Sequence, residues 1–174
     1  MRFASGLFVA SLCLSTAAAA FPFFPKHPRI ARHRTEISDW RLDVSTNPFS
    51  GNVVCRLRER HGEAVYQQGA IGFRFRASWD VENAIYRVDG GAPRTWRNDL
   101  PELVHLGTPI DTGGIDNPTQ GIVWIPLSRL EGANAIVIQP RPDRAQRTFH
   151  FAGFRGLYED AVARGCTPDS RFVR

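Results

Sequence analysis

Short runs of alternating apolar and polar residues dominate the chain between residues 37 and 151, and this alternation is typical of half-buried β-strands. In the run 71–76, Ile71, Phe73 and Phe75 alternate with Gly72 and two arginines, which predicts one apolar face and one basic face. Similar runs predict further strands at 37–44, 52–58, 64–67, 84–88, 94–96 and 148–151.

Turn signals separate these runs. Asp89-Gly90-Gly91 lies between two strand-like segments and predicts a β-hairpin, because glycine tolerates the positive φ of such turns. The stretch 101–106 is compatible with a short strand or a turn, and 107–120 is rich enough in Gly, Pro, Asp and Asn to predict a long loop. The runs 122–125 and 135–138 are apolar on both faces, which predicts buried central strands.

The end of the chain has a different periodicity. Apolar residues recur at helical spacing, and Gly165 follows where a glycine typically ends a helix. The apolar positions are Phe154, Leu157, Tyr158, Ala161 and Val162. Many short strands, one terminal helix and no alternation of strands with helices predict a mainly β protein, an antiparallel β-sandwich with a C-terminal α-helix.

The beginning of the chain has the pattern of a secretory signal peptide. Arg2 precedes the apolar run 3–14, and small residues follow up to Ala20. The run is shorter than the roughly 20 residues that a membrane-spanning helix needs. We therefore expect residues 1–20 to be removed after Ala20, residues 21–35 to form an extended arm, and residues 36–174 to form one domain in the periplasm or outside the cell.

The cysteines fit this compartment. Cys13 lies in the predicted signal peptide, so the mature chain keeps Cys55 and Cys166. Two cysteines in an oxidising compartment predict one disulfide. Both are expected to point towards the core, Cys55 from a strand face and Cys166 from the end of the helix. A redox or metal site needs a closer cysteine pair or more ligands, so a structural bridge is the preferred interpretation.

The charge pattern offers a candidate binding surface. The formal net charge is +5, and Lys26 is the only lysine. The basic residues are therefore almost all arginine, a side chain that suits phosphate and carboxylate recognition. A GC-rich genome, whose codons favour arginine over lysine, would produce the same preference. If the strands 71–76, 84–88 and 94–96 are neighbours, a basic face flanked by aromatic side chains results. Its predicted members are Arg74, Arg76, Arg87, Arg94, Arg97, Trp79 and Trp96, and an ordinary solvated sheet face is the alternative.

The loop 107–118 is the second candidate site. Asp111, Asp116 and Asn117 supply oxygen ligands of the kind that calcium prefers, and the neighbouring glycines allow close backbone approach. The spacing does not match an EF-hand loop, and the same residues are ordinary turn formers. Catalytic, metal and cofactor motifs of known spacing do not occur, so no cofactor and no catalytic residue are predicted.

Several short motifs resemble the invasion-associated locus B family of exported alphaproteobacterial proteins. Asp39-Trp40 opens the domain, a strand cysteine follows, and an Ile-Pro-Leu-Ser-Arg-Leu-Glu-Gly segment precedes buried strands. Phe151-Ala152-Gly153-Phe154 then leads into the closing helix, so the resemblance covers roughly 37–166. It implies an immunoglobulin-like sandwich and a role at the cell envelope or in host interaction. It implies no catalytic residues, and the closely spaced cysteine pair typical of that family is absent.

Three classes of function remain open at this point. The preferred one is a non-enzymatic binding protein whose partner is an anionic envelope component or another envelope protein, with nucleic acid excluded by the expected compartment. The second is a hydrolase of envelope glycans or esters, which requires His105, Asp111 and Asp116 to share a pocket with a nucleophile. The third is a structural envelope protein, which requires a large exposed apolar patch.

Overall fold

The computed structural model describes residues 32–110 and 120–166, which form two antiparallel sheets and two α-helices. The β-sandwich with a C-terminal helix that the alternation predicted is confirmed. The first sheet has the strand order β1-β2-β3-β4-β5-β8. Its strands are β1 (Arg32–Ile37), β2 (Trp40–Thr46), β3 (Val53–Glu59), β4 (Ala64–Gln67), β5 (Ala70–Arg74) and β8 (Ile122–Pro126).

The second sheet has the strand order β10-β9-β6-β7. The predicted hairpin between β6 and β7 is confirmed, and Asp89 and Gly90 both adopt positive φ, as a type I′ turn requires. The Asp89 carboxylate accepts hydrogen bonds from the backbone N–H groups of Asn134 and Ala135, which fastens the turn to β9. The strands are β6 (Ile85–Val88), β7 (Arg94–Thr95), β9 (Ala135–Gln139) and β10 (Arg147–His150).

The core lies between the sheets and continues beneath the C-terminal helix. Phe73 from the first sheet packs against Phe149 from the second, with ring centroids 4.8 Å apart. Trp40 packs edge-to-face against Phe154 at 4.7 Å and donates its indole N–H to the carbonyl of His150. Trp40, Trp124, Phe149 and Phe151 are all buried in this core.

The C-terminal helix, α2 (Phe154–Ala163), packs against β1, β2 and β3. Phe154, Leu157 and Ala161 are buried as predicted, whereas Val162 is 45% exposed because it lies beside the apolar stripe. Gly165 has φ +85° and donates to the carbonyl of Val162, and the next N–H donates to the carbonyl of Ala161. These bonds form a Schellman motif, which confirms Gly165 as the residue that ends the helix.

The Schellman motif places Cys166 against β3. The sulfurs of Cys55 and Cys166 are at disulfide distance, and their Cα atoms are 6.0 Å apart. Both residues are buried, which confirms the predicted bridge between the strand and the end of the helix. The helix is therefore held on the first sheet by a covalent bond as well as by its aromatic contacts.

Three predicted elements need correction. Residues 32–35 were assigned to an extended arm, yet they pair with β2 as part of β1, so the sheet begins before residue 36. Residues 101–105, assigned to a short strand or turn, fall in a helix, α1 (Leu100–His105), because Pro101 is tolerated in its first turn and Leu103 is buried. The strand β8 ends the order of its sheet although a central position was predicted.

The burial of β8 at the edge of its sheet has a simple cause. The short 3₁₀ helix Trp96–Asp99 and α1 pack against it, so both of its faces are covered. Trp96 donates its indole N–H to the carbonyl of Trp124 at 2.6 Å. A second 3₁₀ turn, Leu127–Arg129, follows β8. An edge strand can therefore have the all-apolar sequence pattern of a central strand when helices cover it.

Removing the disulfide tests its contribution to the fold. The bridge closes a loop with a sequence separation of 111 residues. The chain-entropy model gives about 4–5 kcal/mol for a loop of that size. We expect the C55A/C166A double variant to lose most of this free energy in urea unfolding under non-reducing conditions. Reductant should destabilise the wild type and leave the variant unchanged. Equal urea midpoints for the two proteins would contradict a stabilising bridge.

The packing of Trp124 on Gly72 gives a second test. A Cβ at residue 72 would lie 2.8–2.9 Å from ring atoms of Trp124, so Gly72→Ala forces the ring or the strand to move. We expect a loss of about 1–3 kcal/mol in thermal or urea unfolding. Gly156→Ala in α2 is the matched control, because its nearest new contact is 3.8 Å. In a helix interior this change should stabilise by about 0.5–1 kcal/mol. A neutral Gly72→Ala variant would disprove the close packing.

Candidate functional site

An arginine-lined groove crosses the exposed face of β1, β2 and β3. Arg32 and Arg34 on β1 form one wall, and Arg56 and Arg58 on β3 form the other. The strand between them contributes Asp43 and Ser45 to the floor. The groove has a volume of about 500 Å³. We call it the arginine trough and define it by Arg32, Arg34, Asp43, Ser45, Arg56 and Arg58.

The alternation of the strands explains why the arginines share one face. Leu42 and Leu57 point into the core and are fully buried, so the residues on either side of them point outwards. The antiparallel register then places Arg34, Asp43 and Arg56 in one row across the sheet. The neighbouring rows are Arg32–Ser45–Val54 and Glu36–Arg41–Arg58.

Asp43 lies in the middle of this face and organises its charges. Its carboxylate accepts a hydrogen bond from Arg34 Nε at 2.9 Å and one from Arg58 Nη2 at 3.2 Å, and Arg41 Nε lies 3.5 Å away. Arg41 also faces Glu36 at 3.7 Å. Among the described residues, the outward positions of these three strands carry five arginines and two carboxylates, Glu36 and Asp43, so positive charge is in excess on this face. The arginines are Arg32, Arg34, Arg41, Arg56 and Arg58.

The titration of Asp43 reflects these contacts. Partial burial alone would raise the pKa of Asp43, but the hydrogen bond from Arg34 and the charges of the surrounding arginines outweigh it. The pKa of Asp43 therefore lies below its ordinary value. The carboxylate stays charged at neutral pH and keeps the guanidinium groups of Arg34 and Arg58 in place.

A pH series tests the role of Asp43. A pKa that is lower in the folded state than in the unfolded state stabilises the fold above the unfolded value of about 3.9, and this contribution disappears as the pH falls through the folded value. We expect Asp43→Asn to be less stable than the wild type at pH 7 by about 1 kcal/mol or less. The difference should shrink as the pH is lowered below about 4.

Urea unfolding at several pH values measures this difference. Asp39→Asn is the control, because it removes the same charge from an exposed turn outside the arginine trough. A difference between the wild type and Asp43→Asn that does not change with pH would contradict the proposed charge network.

The basic face that the sequence predicted is divided between the two sheets. Arg87 and Arg94 lie on the paired strands β6 and β7, as predicted. Arg74 ends β5 and Arg76 follows it, and β5 belongs to the first sheet. The expectation that all three strands are neighbours is therefore wrong, because β5 pairs with β4 and β8 instead of β6.

The aromatic residues of that predicted face also have other roles. Trp96 is 2% exposed and holds β8, so it is not an exposed platform for a ligand. Trp79 is partly buried, and the guanidinium of Arg144 lies 4.9 Å from its ring centroid. Arg97 pairs with Glu82 at 2.7 Å. These contacts of Trp96, Trp79 and Arg97 are those of ordinary core packing and of surface ion pairs.

A buried charge cluster connects the second sheet to the segment around α1. The fully buried Asp99 accepts a hydrogen bond from Tyr86 Oη at 2.5 Å and one from Arg129 Nε at 3.2 Å. Arg94 Nη2 lies 3.9 Å from the same carboxylate, and Arg129 also pairs with Glu102. Burial, followed by the bond to Asp99, raises the pKa of Tyr86. This arrangement satisfies a buried carboxylate, which otherwise is strongly destabilising.

The second candidate site, the loop 107–118, lies mostly outside the described residues. Asp111 and Asp116 lie outside the described residues, and His105 is exposed at the end of α1. Within 32–110 and 120–166, no group of three or more His, Cys, Asp or Glu side chains is placed to hold a metal ion. The helices of this part of the chain are too short or too polar to cross a membrane.

The arginine trough was missed because its first wall was assigned to the arm. A signal was present, since residues 32–37 already alternate between charged positions and the less polar Thr35 and Ile37. The alternation of Arg41 with Leu42 and of Arg56 with Leu57 was equally visible. The sequence did not reveal which strands are neighbours, and that relation alone brings the arginines together.

Comparison with protein-family models, curated proteins and solved structures finds no match. The resemblance to the invasion-associated locus B family therefore stays a prediction. The function has to be argued from the arginine trough itself.

Proposed function

We propose that this chain is an exported, non-enzymatic binding protein that recognises an anionic component of the cell envelope through the arginine trough. The single observation that carries the proposal is the excess of positive charge on one exposed face, arranged around Asp43. The signal-peptide pattern and the Cys55–Cys166 bridge support an oxidising compartment outside the cytoplasm.

The geometry favours recognition over a merely solvated surface. A guanidinium group carries five N–H donors, and the hydrogen bond from Arg34 to Asp43 uses the Nε donor of Arg34. That contact orients the Arg34 side chain, which lines the groove. A ligand then meets arginines that are already partly ordered, which lowers the entropy lost on binding.

Arg32 adds charge that no described carboxylate neutralises. Arg32 lies at the beginning of β1, opposite Ser45, and forms no ion pair with any carboxylate in the described ranges. Arg34, the next arginine on the same face, has a side chain that is 60% exposed. Fixed charges of this kind attract anions over several ångströms and make binding sensitive to salt.

The resemblance to the invasion-associated locus B family supports the same role, because that family consists of exported envelope or host-interaction proteins. The alternative of a hydrolase rests on the loop 107–118, most of which lies outside the described residues. No observation in the described part of the chain favours it over binding.

A pair of charge-matched variants tests the proposal. R32A/R34A/R56A removes three arginines from the arginine trough, and R74A/R76A/R87A removes three exposed arginines from the face that the sequence predicted. Thermal unfolding first establishes that both variants fold. Binding of the oxidised mature protein is then measured to alginate, to polygalacturonate and to phosphatidylglycerol vesicles, each over a range of salt concentrations.

The two variants have the same net charge, so a difference between them reports position. We expect the trough variant to lose at least tenfold in affinity for a probe that the wild type binds, and the control variant to lose less than threefold. Such binding should weaken as salt is raised. Equal losses in both variants, or no binding of any probe by the wild type, would overturn the proposed function.

A further inference from the structure

The charges of the arginine trough are not uniform, and their order across the sheet restricts the ligand. In the middle row the sequence across the strands is Arg34, Asp43, Arg56. The two walls are therefore positive, and the centre of the floor is negative. Neighbouring strands lie roughly 4.8 Å apart, so the two walls begin about 10 Å from one another at the backbone.

This order disfavours a compact anion. A single phosphate or sulfate at the centre of the floor would lie beside the Asp43 carboxylate, whose low pKa keeps it charged. Like charges in contact repel each other. An anion bound to one wall alone would contact the two arginines of that wall and neither arginine of the other. The favourable ligand instead places its negative charges at the two walls and keeps its centre neutral.

The floor offers polar groups to such a neutral centre. Asp43 is an acceptor for hydroxyl groups, and the Ser45 hydroxyl already donates to the carbonyl of Val54 at 3.4 Å, which leaves its oxygen able to accept. Both side chains are short compared with the arginines on either side, so a ligand can descend between the walls. A polymer of acidic sugar rings combines these features, because each ring carries one carboxylate together with hydroxyl groups.

The direction of the strands adds a length requirement. Side chains on one face of a strand recur every 6.6–6.8 Å or so, which sets the spacing of Arg32 from Arg34 and of Arg56 from Arg58. The three rows therefore extend over roughly 13 Å along β2. A chain that lies along β2 meets arginines on both walls in the middle row and an arginine on one wall, Arg32 or Arg58, in the rows on either side.

We propose that the arginine trough binds a linear, carboxylate-bearing polysaccharide lengthwise, with carboxylates at the arginine walls and ring hydroxyls over Asp43 and Ser45. This inference rests on the proposed function and names the class of its ligand. A flat membrane of phospholipid headgroups fits the same charge less well, because a plane of phosphates reaches the walls but not the floor.

The experiment measures affinity against chain length by calorimetry at constant ionic strength. The probes are di-, tetra- and octagalacturonate, the fully methyl-esterified octamer, inorganic phosphate and phosphatidylglycerol vesicles. We expect affinity to rise at least tenfold from the dimer to the tetramer and to level off before the octamer. The methyl ester should not bind, because it keeps the hydroxyls and loses the charges.

Asp43→Ala separates the two kinds of ligand. The substitution removes a negative charge, so it should tighten binding of inorganic phosphate and of vesicles. It also removes the hydroxyl acceptor, so we expect it to weaken tetragalacturonate binding by about threefold or more. R32A/R34A/R56A should weaken binding of every anionic probe at least tenfold, and R74A/R76A/R87A should weaken it less than threefold.

The outcomes distinguish the two proposals. Vesicle or phosphate binding without galacturonate binding would overturn the polysaccharide inference and leave the anion-binding function in place. The same holds if galacturonate affinity does not depend on length, or if Asp43→Ala tightens galacturonate and phosphate binding alike. If the wild type binds none of the probes, both proposals fail.

Discussion

The attachment of α2 to the inner side of β1, β2 and β3 is the constraint on which the rest of the molecule depends. The Cys55–Cys166 bridge and the packing of Trp40 on Phe154 hold the helix there. A strand has only two faces, so covering the one that carries Leu42 and Leu57 sends every intervening charged residue to solvent. The arginine trough is the consequence of that choice. The helix would have to detach and the disulfide would have to break before the opposite face of these strands could turn to solvent.

Two aspartates show how the same side chain takes different roles in this fold. Asp99 is fully buried, and its contacts with Tyr86 and Arg129 serve to satisfy a carboxylate that has lost its water. Asp43 is 28% exposed and meets arginines that are themselves open to solvent. The first arrangement joins the segment around α1 to the second sheet. The second arranges positive charge on a surface, which is why we propose recognition there.

The sequence predicted the fold class well because it depends on local patterns. Alternation, the Asp89-Gly90 turn and the apolar stripe before Gly165 are each decided by a few neighbouring residues, and the structure contains all three. The prediction failed where packing outweighed the local pattern. Residues 101–105 became helical, and Trp96 became buried against β8, because tertiary contacts cover that edge of the sheet. The prediction of a basic face around Arg74 and Arg87 was wrong for a related reason, because the sequence of a strand does not specify which strands lie beside it.

By itself the sequence determined which face of the alternating strands points inwards, where the Asp89-Gly90 turn lies, where the last helix ends and that Cys55 and Cys166 are able to pair. These properties follow from the geometry of a strand or a helix and from the presence of two cysteines. Only the tertiary structure decided that Arg34, Asp43 and Arg56 form one row, because residues far apart in sequence become neighbours through strand order and register. A shift of one residue in that register would turn the arginines to the opposite face.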